Sequence, residues 1–156
     1  MKVQPVSQIS RRLIEAELYG ELYETMTEKF GREKALQVIT DNLQKSARKA
    51  GKNFAADVST PNLEHFATVV EIWKKDNAIE VEDISIKGNE LTIKVIRCRY
   101  QESYREMGLP DELCTLLSCS RDEPFATGYS ERLNMIRETT LAEGGPCCPF
   151  KFIWSE

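Results

Sequence analysis

The spacing of apolar residues changes period near Ile79, and that change constrains the fold more than any other feature of the chain. Before it, apolar residues recur at helical intervals. From Ser10 to Phe30, Ile14, Leu18, Leu22, Met26 and Phe30 repeat every four positions and share one face. Gly31 follows where a left-handed cap is expected. A second helix is predicted from about Arg32 to Ala50, with Ala35, Leu36, Ile39, Leu43 and Ala47 inward and Gly51 as its stop. Thr60-Pro61 reads as a cap and first turn of a third, whose apolar set is Leu63, Phe66, Val70 and Trp73.

After Ile79 the pattern is that of strands. Ile79 to Ile86 is rich in β-branched residues, Lys87-Gly88-Asn89 is a turn, and Leu91 to Cys98 alternates. That alternation puts Leu91, Ile93 and Val95 on one face, with Ile96 and Cys98 on the other. Two short helices are predicted, Tyr100 to Met107 ending at Gly108, and Pro110 to about Cys119 capped by Asp111. A second hairpin, Leu133 to Thr140 and Cys147 to Trp154, closes the chain, with Cys148 on the face of Phe150, Phe152 and Trp154. The expected fold is α+β: a four-stranded antiparallel sheet from two hairpins, packed with three N-terminal helices and two short connecting ones.

A chain of 156 residues suits one domain, here 1–156, with a helical half at about 7–75 and a hairpin–helix–hairpin half at about 78–155. The 21 Lys and Arg against 25 Asp and Glu give a net charge of −4, which argues against nucleic acid as partner. Lys45, Arg48, Lys49 and Lys52 fall at helical spacing and read as a solvated face. The start has no apolar signal region, and no stretch approaches the ~18 apolar residues that span a bilayer. No membrane association is therefore expected, and the expected location is the cytoplasm. Five cysteines, odd in number and confined to the second half, then read as thiols.

Three motifs lie in the second half in a fixed order. Ile96-Arg97-Cys98-Arg99-Tyr100-Gln101-Glu102-Ser103-Tyr104-Arg105-Glu106-Met107-Gly108-Leu109 combines an Arg-Cys pair, two tyrosines four apart and a closing Gly-Leu. Leu117-Ser118-Cys119-Ser120-Arg121-Asp122 follows, then Gly128-Tyr129. Arg137-Glu138-Thr139-Thr140, Gly144 and Cys148-Pro149-Phe150-Lys151-Phe152 complete the set. Together with Phe30-Gly31-Arg32-Glu33-Lys34-Ala35 and Trp73, they resemble the L-2-amino-thiazoline-4-carboxylic acid hydrolase-like family over nearly the whole chain. Three positions depart from that family's pattern: Cys147 stands where it usually has His, Pro149 replaces Asp, and Glu138 replaces Thr. At fold level alone, the order of elements is similar to that of 4-vinyl-reductase-type ligand-binding domains.

The resemblance implies hydrolytic opening of a cyclic amidine that carries a carboxylate, giving a carbamoyl-cysteine. Such a reaction needs a thiolate or activated water at the amidine carbon, an acid for the leaving group, and a cation for the carboxylate. The chain supplies Cys98, Cys119 and Cys148 for the first, Asp122 for the second, and Arg99, Arg121 or Arg137 for the third, with Tyr100 beside them. A carboxylate-bearing small molecule is the expected partner, and self-association stays open. No cofactor is required; the alternative is zinc or another metal on Cys98, Cys119 and Cys148, although no C-x-x-C is present. A second function from another class, a non-catalytic small-molecule sensor, also fits such a pocket. Cys114 reads as a small buried hydrophobe, and His65, the single histidine, falls on no motif. Five thiols per chain should titrate with a thiol reagent after anaerobic denaturation; a lower count would contradict the reading of unpaired cysteines.

Overall fold

The computed structural model describes residues 5–156. Two long helices, α1 (Gln8–Phe30) and α2 (Arg32–Ala55), form an antiparallel pair hinged at Gly31, which has φ +86°. Two short helices, α3 (Leu63–Ala67) and α4 (Val69–Trp73), lead to β1 (Ile79–Lys87) and β2 (Glu90–Cys98). Then come α5 (Arg99–Glu106), α6 (Asp111–Cys119), α7 (Asp122–Tyr129), β3 (Leu133–Ile136) and β4 (Cys148–Trp154). The four strands make one antiparallel sheet in the order β1-β2-β4-β3, so the two hairpins meet along β2 and β4 with Val95 opposite Cys148. The α+β expectation is met.

Several local expectations are corrected, each for a physical reason. The third helix does not open at Thr60-Pro61. Asn62 is the cap, its side chain accepting the His65 N–H at 2.8 Å. Thr68 then bonds back to the His65 carbonyl through both its N–H and its hydroxyl and splits the expected helix in two. Gly51 does not stop α2, which runs on to Ala55. The helix α6 begins at Asp111 with Pro110 at its cap, so Asp111 lies in the first turn instead of capping it. The third strand ends at Ile136, well short of Thr140.

The stripe Ile14, Leu18, Leu22 and Phe30 does not pack inward. Ile14 is 65% exposed, Leu18 57% and Leu22 42%, while Ile9, Ala16, Gly20 and Tyr23 face the protein. A four-residue repeat precesses by about 40° per step around a helix of 3.6 residues per turn. It therefore traces a ridge and does not say which side is buried. The small residues Ala16 and Gly20 are the ones that let α1 lie close to its neighbours. On α2 the expected set Ala35, Ile39, Leu43 and Ala47 is buried.

The helix α7 was not expected, and it is what joins the two halves. Its acidic first turn, Asp122 and Glu123, with Pro124 beside them is a helix-start signal that the internal Gly128 obscures. It packs on α2 backbone to backbone. A Cβ on Gly51 would lie 2.1 Å from the Phe125 carbonyl oxygen, and one on Gly128 would lie 2.2 Å from that of Arg48. Two hydrophobic clusters result. One lies between the sheet, α3, α4 and α7, around Phe66, Ile93, Tyr129 and Phe152. The other lies among α1, α2, α5 and α6, around Tyr23, Leu43, Tyr104 and Leu113.

Gly128→Ala gains helix propensity of up to about 1 kcal/mol, but backbone cannot yield as a side chain does, so overpacking dominates. The expected result is a net loss of about 1–3 kcal/mol, read from the urea midpoint, whereas Leu18→Gln on the exposed ridge stays within about 0.5 kcal/mol. Equal midpoints for the two variants would contradict the packing described.

Candidate functional site

Between the two clusters lies a cavity of about 380 Å³. Its body is apolar, with Trp73, Phe125 and Phe150 among its walls, and a small set of polar groups enters it from α1, α5, α6, α7 and the two hairpins. That mixture is the usual make-up of a small-molecule site.

Cys98 reaches the cavity through an irregularity in its strand. Glu80 pairs with Arg97 and Val81 with Val95, which leaves Ile96 without a partner on β1. Ile96 and Arg97 are consecutive exposed residues, so Cys98 returns to the face of Leu91, Ile93 and Val95. Simple alternation had placed it on the opposite face; the bulge re-aims it. Its sulfur then sits at the start of α5, where the backbone N–H groups of Gln101 and Tyr100 approach it.

The other thiols come from separate elements. Cys119 is the last residue of α6, its sulfur 3.2 Å from the Ser118 hydroxyl. Cys148 begins β4 and accepts the Leu141 N–H at 3.2 Å. Both line the cavity with Cys98. Cys114 does not: it is buried in the helical cluster, donating to the Leu109 carbonyl. All five cysteines are free thiols.

Two ionic arrangements stand in the wall. Arg137, just beyond β3, bonds the Asp122 carboxylate, donates to the Cys119 carbonyl at 3.3 Å and lies 4.9 Å above the Phe150 ring. Both side chains of this pair are largely buried, Arg137 being 11% exposed. On the α1 side, Arg12 and Arg121 both donate to Glu15 Oε2, at 2.7 and 3.1 Å. Tyr100 closes this edge, its hydroxyl donating to the Trp73 carbonyl at 3.1 Å.

Burial dominates the acid–base behaviour of the site. It pushes the Cys98 thiol up to about 12, against the pull of the α5 amides. It also raises Cys119 and Cys148, and the Arg137 guanidinium lowers them by less than burial raises them. A guanidinium by itself would depress these thiols; desolvation outweighs it. Burial likewise raises the Asp122 carboxyl, opposed by the charge and hydrogen bond of Arg137.

Of the residues singled out in the sequence, Cys98, Tyr100, Cys119, Arg121, Asp122, Arg137 and Cys148 line this one cavity. Arg99 does not; it turns away and donates to the Asp76 carbonyl at 3.0 Å. His65 is also elsewhere, stacked on Phe54 and bonded to the Tyr129 hydroxyl. Among the described residues, no group of three or more His, Cys, Asp or Glu is placed to hold a metal ion. Among the described residues, no helix is long and apolar enough to cross a membrane. Gln8 and Arg12 also line the cavity, with Glu15 behind. These were missed because Arg12 and Glu15, three apart on α1, look like an ordinary surface pair.

Comparison with known proteins adds the following. A family model described as L-2-amino-thiazoline-4-carboxylic acid hydrolase matches residues 11–152. No curated protein matches. Among solved structures, the phenol-responsive sensory domain of the transcription activator PoxR, determined with phenol, is 9% identical with a TM-score of 0.53. That match covers 92% of this chain and 74% of the other. A trafficking protein particle complex subunit 3 from Naegleria fowleri, covalently bound to palmitic acid, is 14% identical with a TM-score of 0.53, covering 94% and 96%. At such identities the likeness is one of fold.

The raised thiol of Cys98 couples to stability. Below the ordinary thiol range both folded and unfolded chains hold its proton, and the buried neutral form costs nothing. Above it the unfolded chain releases a proton that the folded chain keeps, so stability falls as pH rises toward about 12. Urea midpoints measured from pH 8 to 10.5 should decline more steeply for the wild type than for Cys98→Ala, by up to about 1.4 kcal/mol per pH unit. Parallel declines would contradict the burial of this thiol.

Proposed function

Because the chain belongs to the L-2-amino-thiazoline-4-carboxylic acid hydrolase family, we propose that its cavity hydrolyses a small cyclic amidine bearing a carboxylate. The observation that carries this reading is the gathering of three thiols and the Asp122–Arg137 pair on one cavity wall. A thiol is the natural nucleophile for an amidine carbon, and Cys98 is favoured because the α5 amides can stabilise its anion. Its high pKa means that the proton must leave when substrate binds. The amidine nitrogen is basic enough to take it, which also makes the amidine carbon more electrophilic.

The sulfur of Cys98 then adds to the carbon between the ring sulfur and nitrogen. The ring carbon–sulfur bond breaks, and Asp122, a carboxylate paired with Arg137 and made more basic by burial, relays the proton held by the amidine nitrogen to the departing sulfur. An isothiourea links enzyme and opened substrate. Water adds to the same carbon, the Cys98 sulfur leaves and regains its proton, and the product is the N-carbamoyl amino thiol, equal to substrate plus water. Arg137 keeps Asp122 oriented throughout. Cys119 and Cys148 shape and dry the reacting end, so that their loss opens it to solvent.

A second reading, binding without turnover, is supported by the burial that favours the protonated form of the thiols and by the fold shared with the PoxR phenol-sensing domain. One assay separates the two: incubation with 2-amino-thiazoline-4-carboxylate, following the new thiol released on ring opening. Turnover is expected in the wild type, with loss of at least about 100-fold in Cys98→Ala, Cys119→Ala and Cys148→Ala, all folded by circular dichroism. Cys114→Ala should retain it. Saturable binding without thiol release would favour the sensor reading, and neither binding nor release would overturn both.

A further inference from the structure

We infer that Arg12 and Arg121 form an anion subsite in the cavity, taking the carboxylate of an amphipathic monocarboxylate whose apolar body lies against Trp73, Phe125 and Phe150. The inference deepens the reading above, and rests on it only for the choice of cavity.

Charge balance is the first argument. Arg12, Arg121 and Arg137 enter the cavity region against Glu15, Asp122 and the solvent-exposed Asp57, so the balance is decided pair by pair. The Arg137–Asp122 pair is neutral in itself. At the α1 side, two guanidiniums share a single oxygen of Glu15, which leaves one positive charge without a counterpart. Both are substantially withdrawn from water, Arg12 being 17% exposed and Arg121 11%. An uncompensated charge in such a place is costly unless an anion completes it.

Hydrogen bonding is the second argument, and it is independent. A guanidinium carries five N–H donors in a planar fork. Arg121 Nε is buried and has no partner among the described residues. Buried donors are nearly always satisfied, and an exception calls for a missing acceptor. A carboxylate matches the fork because its two oxygens lie in one plane at the right separation. Gln8, one turn before Arg12 on α1 and also on the cavity wall, offers an uncharged amide beside them. Burial and the proximity of Arg12 lower the Arg121 pKa, as expected for a cation lacking its full complement of anions.

The third argument concerns the rest of the ligand. A cavity of about 380 Å³ exceeds what one five-membered ring with a carboxylate fills, and its remaining wall is aromatic and aliphatic. The chemical class is therefore a carboxylate with an aryl or alkyl arm.

The test uses 2-phenylthiazole-4-carboxylate, whose aromatic ring is not an amidine substrate, and the corresponding carboxamide, titrated calorimetrically into the full chain. Saturable binding of the carboxylate is expected, with the carboxamide weaker by about tenfold or more. Arg12→Gln and Arg121→Gln should each weaken carboxylate binding by about tenfold, bringing it near the carboxamide value. Arg12→Lys should recover part of the loss, and Arg99→Gln should change nothing. Arg12, on the more accessible helix, keeps the test decisive if the Arg121 variant fails to fold. Equal affinities for acid and amide, unchanged affinity in Arg12→Gln, or no binding at millimolar probe would overturn the subsite. Displacement of the probe by an equal concentration of inorganic phosphate would overturn its assignment to a carboxylate. Binding that persists without any ring-opening activity would sink the hydrolase reading and leave the subsite standing. Turnover of the thiazoline with unchanged KM in Arg12→Gln would do the reverse.

Discussion

The backbone contact between α2 and α7 at Gly51 and Gly128 is the constraint on which the rest of the site depends. Neither position has room for a methyl group, so the two helices lie closer than side chains would permit. That closeness lets α7 span from the helical cluster to the sheet, with Phe125 and Tyr129 packed against Phe66. The first residues of α7 are consequently held where α1, α6 and the hairpins converge. Arg121 and Asp122 are adjacent in sequence, yet Arg121 joins α1 through Glu15 and Asp122 joins the β3–β4 connection through Arg137. One helix terminus thus ties three parts of the chain around a shared space.

Within that space two demands oppose each other. Exclusion of water raises the thiols and the Asp122 carboxyl toward their neutral forms. Guanidinium groups, α5 amides and ion pairs supply stabilisation for charge that appears only when a ligand arrives. Sites arranged this way gain from electrostatics that are already oriented before the reaction begins. The same burial slows the reaction of these thiols with electrophiles in the ligand-free protein. In the proposed reaction, a buried neutral thiol beside stabilising dipoles serves as a latent nucleophile that a basic substrate would convert.

Much of this was legible in the sequence, and the misreadings have definite causes. The switch of period at Ile79 disclosed the α+β class, and the paired hairpins followed from turn chemistry at Gly88 and from alternation in the two inner strands. The motifs around Cys98, Cys119 and Cys148 are far apart in the chain, and their meeting at one cavity depends on β2 pairing with β4. What local patterns cannot encode was missed. The bulge at Ile96 is set by pairing between strands, and it alone moves Cys98 to the cavity face. The burial of Ala16 and Gly20 in place of Ile14, Leu18 and Leu22 is decided by how closely helices pack. Gly128 entered only as part of the Gly128-Tyr129 motif, whereas it is a contact surface for α2 inside a helix. Arg12 and Glu15 carried no signal beyond their helical spacing, and only the position of α1 brings them to the cavity.

On the function proposed, Cys98, Cys119 and Cys148 face a common bound ligand. Peptide mapping of iodoacetamide labelling, with and without saturating 2-phenylthiazole-4-carboxylate, tests it most directly. Bound ligand should slow labelling at these three cysteines and leave Cys147, which is outside the cavity wall, labelled as before. Labelling of all three at the same rate in the presence of bound ligand would contradict it.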